Sequence, residues 1–258
     1  MLVLCYGITK SGSTLTFELI KGVLETSGNP QQRLPDGPVN PDHRINYVQP
    51  LNRKRLKELV SAVGDRWIAV KTHSGMADPL FGYLEQLQEE KQLQTVVCYR
   101  DPRDICLSLV DAGEAARASG RKEFSDVTDL DVAQSKVDEQ LEKFVKWASL
   151  RDALLLRYDM VAFDPDAAIE QIEQCLGVRA DRERVKQYAF TEAFTQRNKA
   201  TRNRFLSELT EAQREKLDRD FAPIISNFFE GVPNGWLAAR RLELIERQSQ
   251  RVASRHPH

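Results

Sequence analysis

The sequence has no excess of charge of either sign. It contains 37 Lys and Arg residues against 38 Asp and Glu residues in 258 positions. This balance argues against a global basic surface for nucleic acid, so any anion site must be local. A chain of this length can bury one substantial hydrophobic core. We therefore expect a single domain over residues 1–247, a polar flexible tail over residues 248–258, and no nucleic-acid partner; the oligomeric state stays open.

Long hydrophobic runs are absent as well. The apolar start, residues 1–6, is far too short for a membrane-spanning helix or a signal peptide. The sequence has four cysteines, Cys5, Cys98, Cys106 and Cys175, and no two of them form a C-x-x-C pair. This spacing disfavours metal and disulfide roles, so we expect buried free thiols. Together with the short apolar start, it predicts a cytoplasmic protein without a membrane span.

Short apolar runs are present and predict the strands of a sheet: residues 2–6, 67–70, 95–99 and 153–156. Each run is followed by polar residues and then by a helical period. This alternation predicts an α/β fold, with a central, mostly parallel sheet flanked by helices. Two long loops, 28–52 and 119–128, are candidates for lids or substrate walls.

The helical periods predict nine helices, at residues 13–26, 54–63, 79–90, 102–116, 130–149, 165–176, 181–191, 210–221 and 236–247. Three of these begin at an aspartate followed by proline, namely Asp78, Asp101 and Asp164. Such pairs place a capping carboxylate just before a proline in the first helical turn. We expect all three aspartates to be N-caps.

The segment CYGITKSGSTL, residues 5–15, has the glycine spacing of a phosphate-binding loop but an unusual lysine position. P-loop nucleotide triphosphatases place lysine directly after the second glycine, where this chain has Ser13, whereas Lys10 lies inside the loop. Backbone N–H groups, the start of a helix and nearby hydroxyls are sufficient to hold a phosphate. The loop therefore predicts an anion site, with a capped helix and an exposed lysine as the alternative.

Further cations follow the other predicted strands. In open α/β sheets, ligands bind at the carboxyl ends of the strands. The segment VVCYRDPRDICLSL places Arg100 at such an end and Ser108 about two helical turns later. A guanidinium and a hydroxyl together could grip a second phosphate. An arginine that only pairs with nearby aspartates is the alternative interpretation of this segment alone.

These segments resemble the sulfotransferases that use 3′-phosphoadenosine 5′-phosphosulfate (PAPS), which have a P-loop-like α/β fold. The matching motifs are TKSGST, KTH and YRDPRDICLSL, in that order along the chain. The resemblance implies a 5′-phosphosulfate site at Lys10, Ser11, Gly12, Ser13 and Thr14. It implies a 3′-phosphate site at Arg100 and Ser108. A sulfuryl donor would account for a lysine inside the loop, near the oxygen that bridges phosphorus and sulfur.

Later segments extend the resemblance to about residue 220. It implies that Tyr158, in LLLRYDM, contacts adenine. It also implies that basic residues of QRNKATRNRF close over the 3′-phosphate, with Lys199 as the best match and Arg202 or Arg204 as replacements. Leu15 stands where the family has a tryptophan that stacks on adenine. Phe190 is a candidate to replace that ring.

The general base is predicted from a short set of histidines: His43, His73, His256 and His258. Only His73 follows a predicted strand, and histidine normally titrates near neutrality. The family motif K-T-H matches Lys71-Thr72-His73 and implies that the histidine is the base. Lys71 would balance charge on the transferring group. No metal is expected, because lysines and a helix dipole supply the positive charge.

The sequence thus predicts a sulfotransferase that acts on a hydroxyl of a small molecule or sugar. One alternative is an ATP-dependent small-molecule kinase with a degenerate P-loop, which would need Asp101 to bind magnesium. Another is a module that binds the nucleotide without turning it over. The lysines and His73 favour the enzyme over that module.

Overall fold

The computed structural model describes residues 1–193 and 199–253, with side chains described up to residue 246. A parallel sheet with the strand order β2-β1-β3-β4 forms its centre. Its strands are β1 (Leu2–Gly7), β2 (Ile68–Thr72), β3 (Leu93–Tyr99) and β4 (Leu154–Arg157). The α/β class and the four strands predicted from the apolar runs are confirmed.

Strand β1 is central and explains why the runs are apolar throughout. Its side chains alternate between two buried clusters, with Leu4 and Tyr6 in one and Val3 and Cys5 in the other. Successive residues of a strand point to opposite faces, so a sheet covered on both faces needs apolar residues at every position. Helices cover both faces and leave the carboxyl ends of the strands for a site.

The helices are α1 (Ser13–Thr26), α2 (Arg53–Val63), α3 (Asp78–Glu89), α4 (Pro102–Ala118), α5 (Leu130–Ala148), α6 (Tyr158–Phe163), α7 (Pro165–Leu176), α8 (Arg182–Gln187), α9 (Phe205–Glu208), α10 (Glu211–Asp220), α11 (Ala222–Ile225) and α12 (Asn234–Ala253). The short helices α6, α9 and α11 were not predicted, since they are too brief to show a helical period. The helix predicted over 181–191 changes to a π-helical turn, Tyr188–Glu192, after α8. Helix α12 continues past its predicted end at 247, and residues 254–258 lie outside the described part of the chain.

Two of the three predicted caps are confirmed. Asp101 accepts a hydrogen bond from the backbone N–H of Arg103, at 2.9 Å, and Asp164 caps α7. Asp78 was predicted wrongly: α3 already includes it, and Ala77 is the N-cap. The carboxylate of Asp78 instead pairs with Lys146 of α5, at 3.2 Å.

The proline-rich loop between α1 and α2 is attached to the edge of the sheet. The N–H of Lys71 donates to the carbonyl of Asn46 at 2.7 Å, and the N–H of Val48 donates to the carbonyl of Lys71 at 2.9 Å. Residues 46–48 therefore pair with β2 like a short additional strand, which brings Tyr47 beside β2. The loop therefore covers one side of the region at the carboxyl ends of the strands.

The cysteines are free thiols, as predicted, and Cys175 alone among them is partly exposed. In the described ranges, no helix is both long and apolar enough to cross a membrane. The same ranges contain no group of three or more His, Cys, Asp or Glu side chains placed to hold a metal ion.

Candidate active site

A cavity of about 920 Å³ opens at the carboxyl ends of the strands. It is lined by nine of the side chains or backbone positions predicted for the site: Lys10, Gly12, Ser13, Thr14, Lys71, His73, Arg100, Ser108 and Tyr158. Lys71 lies near the end of β2, and the others come from segments that follow β1, β2, β3 and β4. The parallel sheet thus brings together residues that are far apart in sequence, because all its strands end at the same edge.

The loop after β1 turns sharply at Gly12, which is the N-cap residue of α1 and has a φ of 86°. A Cβ atom at this position would lie 2.4 Å from Cδ2 of Tyr158. Glycine is therefore required both by the left-handed backbone and by the close approach of the tyrosine ring. The ring forms one wall of the cavity directly over the loop.

Ser11 is the one predicted loop residue whose side chain does not line the cavity. It is fully buried, and its hydroxyl donates to the carbonyl of Cys98 in β3 at 3.4 Å. The thiol of Cys98 in turn donates to the carbonyl of Ser11 at 3.1 Å. Ser11 attaches the loop to the sheet, and its hydroxyl is directed to β3 and not to the cavity.

Lys71 lies at the base of the cavity, where its Nζ donates to Oγ1 of Thr14 at 2.7 Å. Its side chain is buried, and burial lowers the pKa of Lys71 to about 8, against the partial opposition of nearby acidic groups. The ammonium form still predominates at neutral pH. Burial also lowers the pKa of Lys10, whose Nζ lies 5.6 Å from the centre of the Phe124 ring.

His73 differs from its prediction in its proton affinity. Burial, together with the positive charge of Lys71, lowers the pKa of His73 to about 3, well below the neutral range expected from the sequence. Its Nδ1 lies 2.6 Å from the carbonyl oxygen of Gly7. Because a carbonyl only accepts hydrogen bonds, Nδ1 carries the proton and Nε2 keeps its lone pair. The imidazole is neutral, in the tautomer that can accept a proton at Nε2.

Arg100 is buried at the start of α4 and is only partly satisfied. Its Nη2 donates to Asp104 at 3.1 Å, and its guanidinium lies 4.3 Å from the centre of the Tyr158 ring. Its Nε is buried and has no hydrogen-bond partner within the described residues. An unpartnered donor on a buried cation is costly without a ligand. This part of the cavity is suited to an anion.

The family model for the sulfotransferase domain matches residues 2–221. The chain belongs to the sulfotransferase family. Among solved structures, it is similar to the crystal structure of mouse sulfotransferase SULT7A1 complexed with PAP, with 16% identity and a TM-score of 0.51 over 89% of this chain and 86% of that chain. This likeness shows the shared fold. No curated protein matches the chain.

The C-terminal cations of this sulfotransferase domain lie outside the cavity. Lys199 is paired with Asp111 at 3.3 Å and with Glu208 at 3.2 Å. Arg204 is buried and bonds to the same two acids, at 2.8 and 2.7 Å. The arginine's hydrogen bond lowers the pKa of Glu208 to about 2. These cations, predicted to close over a phosphate, are neutralised by carboxylates of the chain.

Arg202 does not contribute to the lining of the cavity either. Its guanidinium lies 4.6 Å from the centre of the Phe163 ring. Leu15 and Phe190 do line it, so a phenylalanine is available near the position where the family has tryptophan. Phe190 lies in the π-helical turn after α8.

Several cavity residues were missed in the sequence. His43 was set aside because it lies in the proline-rich loop, yet it lines the cavity with its ring 4.2 Å from that of Tyr47. Tyr47 in turn lies 5.9 Å from His73. Helix α5 contributes Lys136, Glu139, Gln140 and Lys143. Their spacing of three and four residues, which marks one helix face, is the signal that could have identified them.

Asp101, the carboxylate that a kinase would require, does not line the cavity. Besides capping α4, it forms an ion pair with Arg103 at 2.6 Å. Both of its oxygens accept hydrogen bonds from that arginine. The carboxylate is therefore committed to the start of α4.

Proposed function

We propose that the chain transfers a sulfuryl group from PAPS to a hydroxyl of a small-molecule or carbohydrate acceptor, with His73 as general base. The observation that carries this proposal is the single cavity that holds Lys10, His73 and Arg100. Each follows a different strand, and together they supply a cation for the sulfuryl end, a base, and a cation for a second phosphate.

The residues present fit such a donor. Arg100 offers a buried donor atom that has no partner in the described part of the chain, and Ser108 lines the same cavity. The loop after β1 offers the N-terminal end of α1 and the hydroxyls of Ser13 and Thr14. Two separated groups of anion-binding residues suit a nucleotide with phosphates at both its 5′ and 3′ positions. When bound, PAPS would supply an activated sulfuryl group and a nucleotide bisphosphate as the leaving group.

Lys10 and Lys71 would stabilise the negative charge that develops on transfer. Lys10 lies within the loop that would hold the 5′ end, and Lys71 contacts Thr14 of that loop. Fixed cations in a largely buried site are effective, because little reorganisation is needed when charge develops. Their role requires no metal ion, so we expect turnover to persist in EDTA.

His73 would take the proton of the acceptor hydroxyl at Nε2. The bond from Nδ1 to the Gly7 carbonyl holds the ring in the required tautomer. In the ligand-free chain its pKa of about 3 makes it a weak base. An anionic donor placed beside the imidazole would favour the protonated form and raise this pKa. Base strength would thus develop only when the donor is bound.

The acceptor would lie between the proline-rich loop and α5. The tilted rings of Tyr47 and His43 provide an aromatic wall next to His73. Glu139 and Lys143 of α5 add polar groups on the cavity side. Aromatic faces combined with charged side chains suit a hydroxyl-rich acceptor such as a sugar, more than a wholly apolar one.

Thermal denaturation separates this proposal from the kinase. A ligand that binds only the folded chain raises the melting temperature. We expect adenosine 3′,5′-bisphosphate to stabilise the protein without metal, and ATP with magnesium to leave it unchanged. Stabilisation by ATP with magnesium alone would favour the kinase and contradict the proposal.

Turnover separates an enzyme from a nucleotide-binding module. PAPS consumption with a panel of sugars, alcohols and phenols should fall about 10²- to 10⁴-fold in His73→Ala, the range typical of a lost general base. Affinity for adenosine 3′,5′-bisphosphate should change little, since the proposal assigns the phosphates to the loop after β1 and to Arg100. Equal turnover in the variant would remove His73 from this role, and binding without turnover by the wild type would favour the module.

A further inference from the structure

Helix α5 makes a side-chain hydrogen bond to the loop after β1. Oε1 of Gln140 accepts a hydrogen bond from the backbone N–H of Thr9 at 2.8 Å. The other end of the same amide, Nε2, donates to the carbonyl of Lys136 one turn earlier, at 3.0 Å. This second bond orients the amide, so that its acceptor oxygen faces the loop.

Lys10 lies between two residues of the loop, Thr9 and Ser11, that are hydrogen-bonded to other elements. Thr9 is held by α5 on one side, and Ser11 exchanges hydrogen bonds with Cys98 of β3 on the other. Lys10 itself has a φ of 70°, in the left-handed region. This conformation is unfavourable for a residue with a side chain, so it persists only where neighbouring contacts impose it.

The same face of α5 is also attached to the segment that carries His73. Trp147 lies seven residues after Gln140, two turns along the helix, and is completely buried. Its Nε1 donates to the carbonyl of Ser74 at 2.9 Å. One rigid helix therefore bonds to the loop that presents Lys10 and to the residue that follows His73.

We propose that Gln140 is a positioning residue, which holds Thr9 so that Lys10 keeps the left-handed conformation and directs its ammonium into the cavity. Through α5, it sets the placement of Lys10 relative to His73. The effect on catalysis rests on the proposed function, whereas the effect on the loop does not.

Hydrogen exchange of the Thr9 amide in the ligand-free protein tests the proposal directly. In Gln140→Leu, a similar-sized change without an acceptor, we expect the amide to exchange about five times faster or more, as the loss of one hydrogen bond implies. Gln140→Glu keeps an acceptor oxygen and should retain most of the protection. Glu142→Gln, on an exposed part of α5, is the matched control. Unchanged exchange in Gln140→Leu would overturn the proposal.

Kinetics show whether the bond acts through Lys10. Gln140→Leu should lower kcat about tenfold with little change in the KM of the acceptor, and Gln140→Glu should recover most of the loss. In a Lys10→Met background, Gln140→Leu should have almost no further effect, because coupled residues are not additive. An equal loss in both backgrounds would contradict action through Lys10. If the wild type has no PAPS turnover, the proposed function fails, and the exchange comparison still decides the role of Gln140.

Discussion

Two regions of the chain carry the cations expected to bind the donor, and they differ in what surrounds those cations. At the strand ends, Lys71 contacts a hydroxyl and Lys10 lies near an aromatic ring, both within the cavity. After residue 198, Lys199 and Arg204 are held by two carboxylates outside it. In the first region, Lys10 and Lys71 can receive an anion without breaking an ion pair to any described residue, whereas Arg100 is paired with Asp104. In the second region, a bound phosphate would have to displace the protein carboxylates from Lys199 and Arg204.

Among the variants that test this difference between the two regions, Lys10→Met should cause the largest loss of turnover. Removing a cation that stabilises developing charge should lower kcat by about 10²- to 10³-fold. The melting temperature should stay nearly unchanged, because the ammonium makes no ion pair within 4 Å among the described residues. Steady-state kinetics with PAPS and a thermal melt check both parts. A variant that retains full kcat would contradict the role given to the strand-end region.

Arg204→Met should act on stability instead. The change leaves Asp111 and Glu208 without their buried partner, which should reduce the free energy of unfolding by about 2 kcal/mol. Urea denaturation measures this loss. Arg202→Met is a suitable control, since that exposed guanidinium lies over the Phe163 ring and has no ion pair among the described residues, and its effect should be within about 0.5 kcal/mol. Equal stability of both variants would show that the carboxylate pairs do not hold Arg204.

The pH dependence of turnover should reflect the buried strand-end groups. The pKa of His73 is lowered, so its neutral form is present throughout pH 5–7 and the free enzyme should show no inflection from His73 there. Above pH 8 Lys71 loses its proton, and kcat/KM should fall about tenfold per pH unit. In Lys71→Arg this alkaline fall should disappear, because guanidinium stays charged. A decline near pH 6.5 that is absent from His73→Ala would contradict the assigned pKa.

The smallest effect is expected from Lys199→Met. Its ammonium is paired with acids and does not line the cavity, so affinity for adenosine 3′,5′-bisphosphate should change less than about threefold. Arg100→Met should weaken the same affinity about 10- to 100-fold, since it removes a charged donor. Isothermal titration measures both. If Lys199→Met bound adenosine 3′,5′-bisphosphate as weakly as Arg100→Met, the C-terminal region would have to rearrange on binding. The contrast between the two cation regions would then fail.

The fold was predictable from the sequence because covered strands leave continuous apolar runs and the helices between them leave a clear period. The grouping of Lys10, His73 and Arg100 was predictable for a related reason, since parallel strands end at one edge. The proline-rich loop was different. Its length marked it as a candidate substrate wall, but it is attached to β2 by backbone hydrogen bonds, which any residue can make, so the sequence did not show that His43 and Tyr47 in particular would line the cavity.

Properties that depend on tertiary surroundings could not be predicted from the sequence either. The low pKa of His73 comes from burial and from Lys71, neither of which a motif specifies. The ion pairs of Lys199 depend on Asp111, a residue of α4 that is distant in sequence. A motif identifies which residue types are present, but the acids that compete for a cation are set by packing.

The close contact between Gly12 and Tyr158 has a consequence for how such a protein can evolve. A methyl group at position 12 would collide with the tyrosine ring, so position 12 cannot take a side chain while Tyr158 is kept. Among relatives that keep this left-handed turn, position 12 should stay glycine even where the residue at position 158 is smaller. Anyone who grafts this loop onto another scaffold would have to transplant the aromatic partner with it.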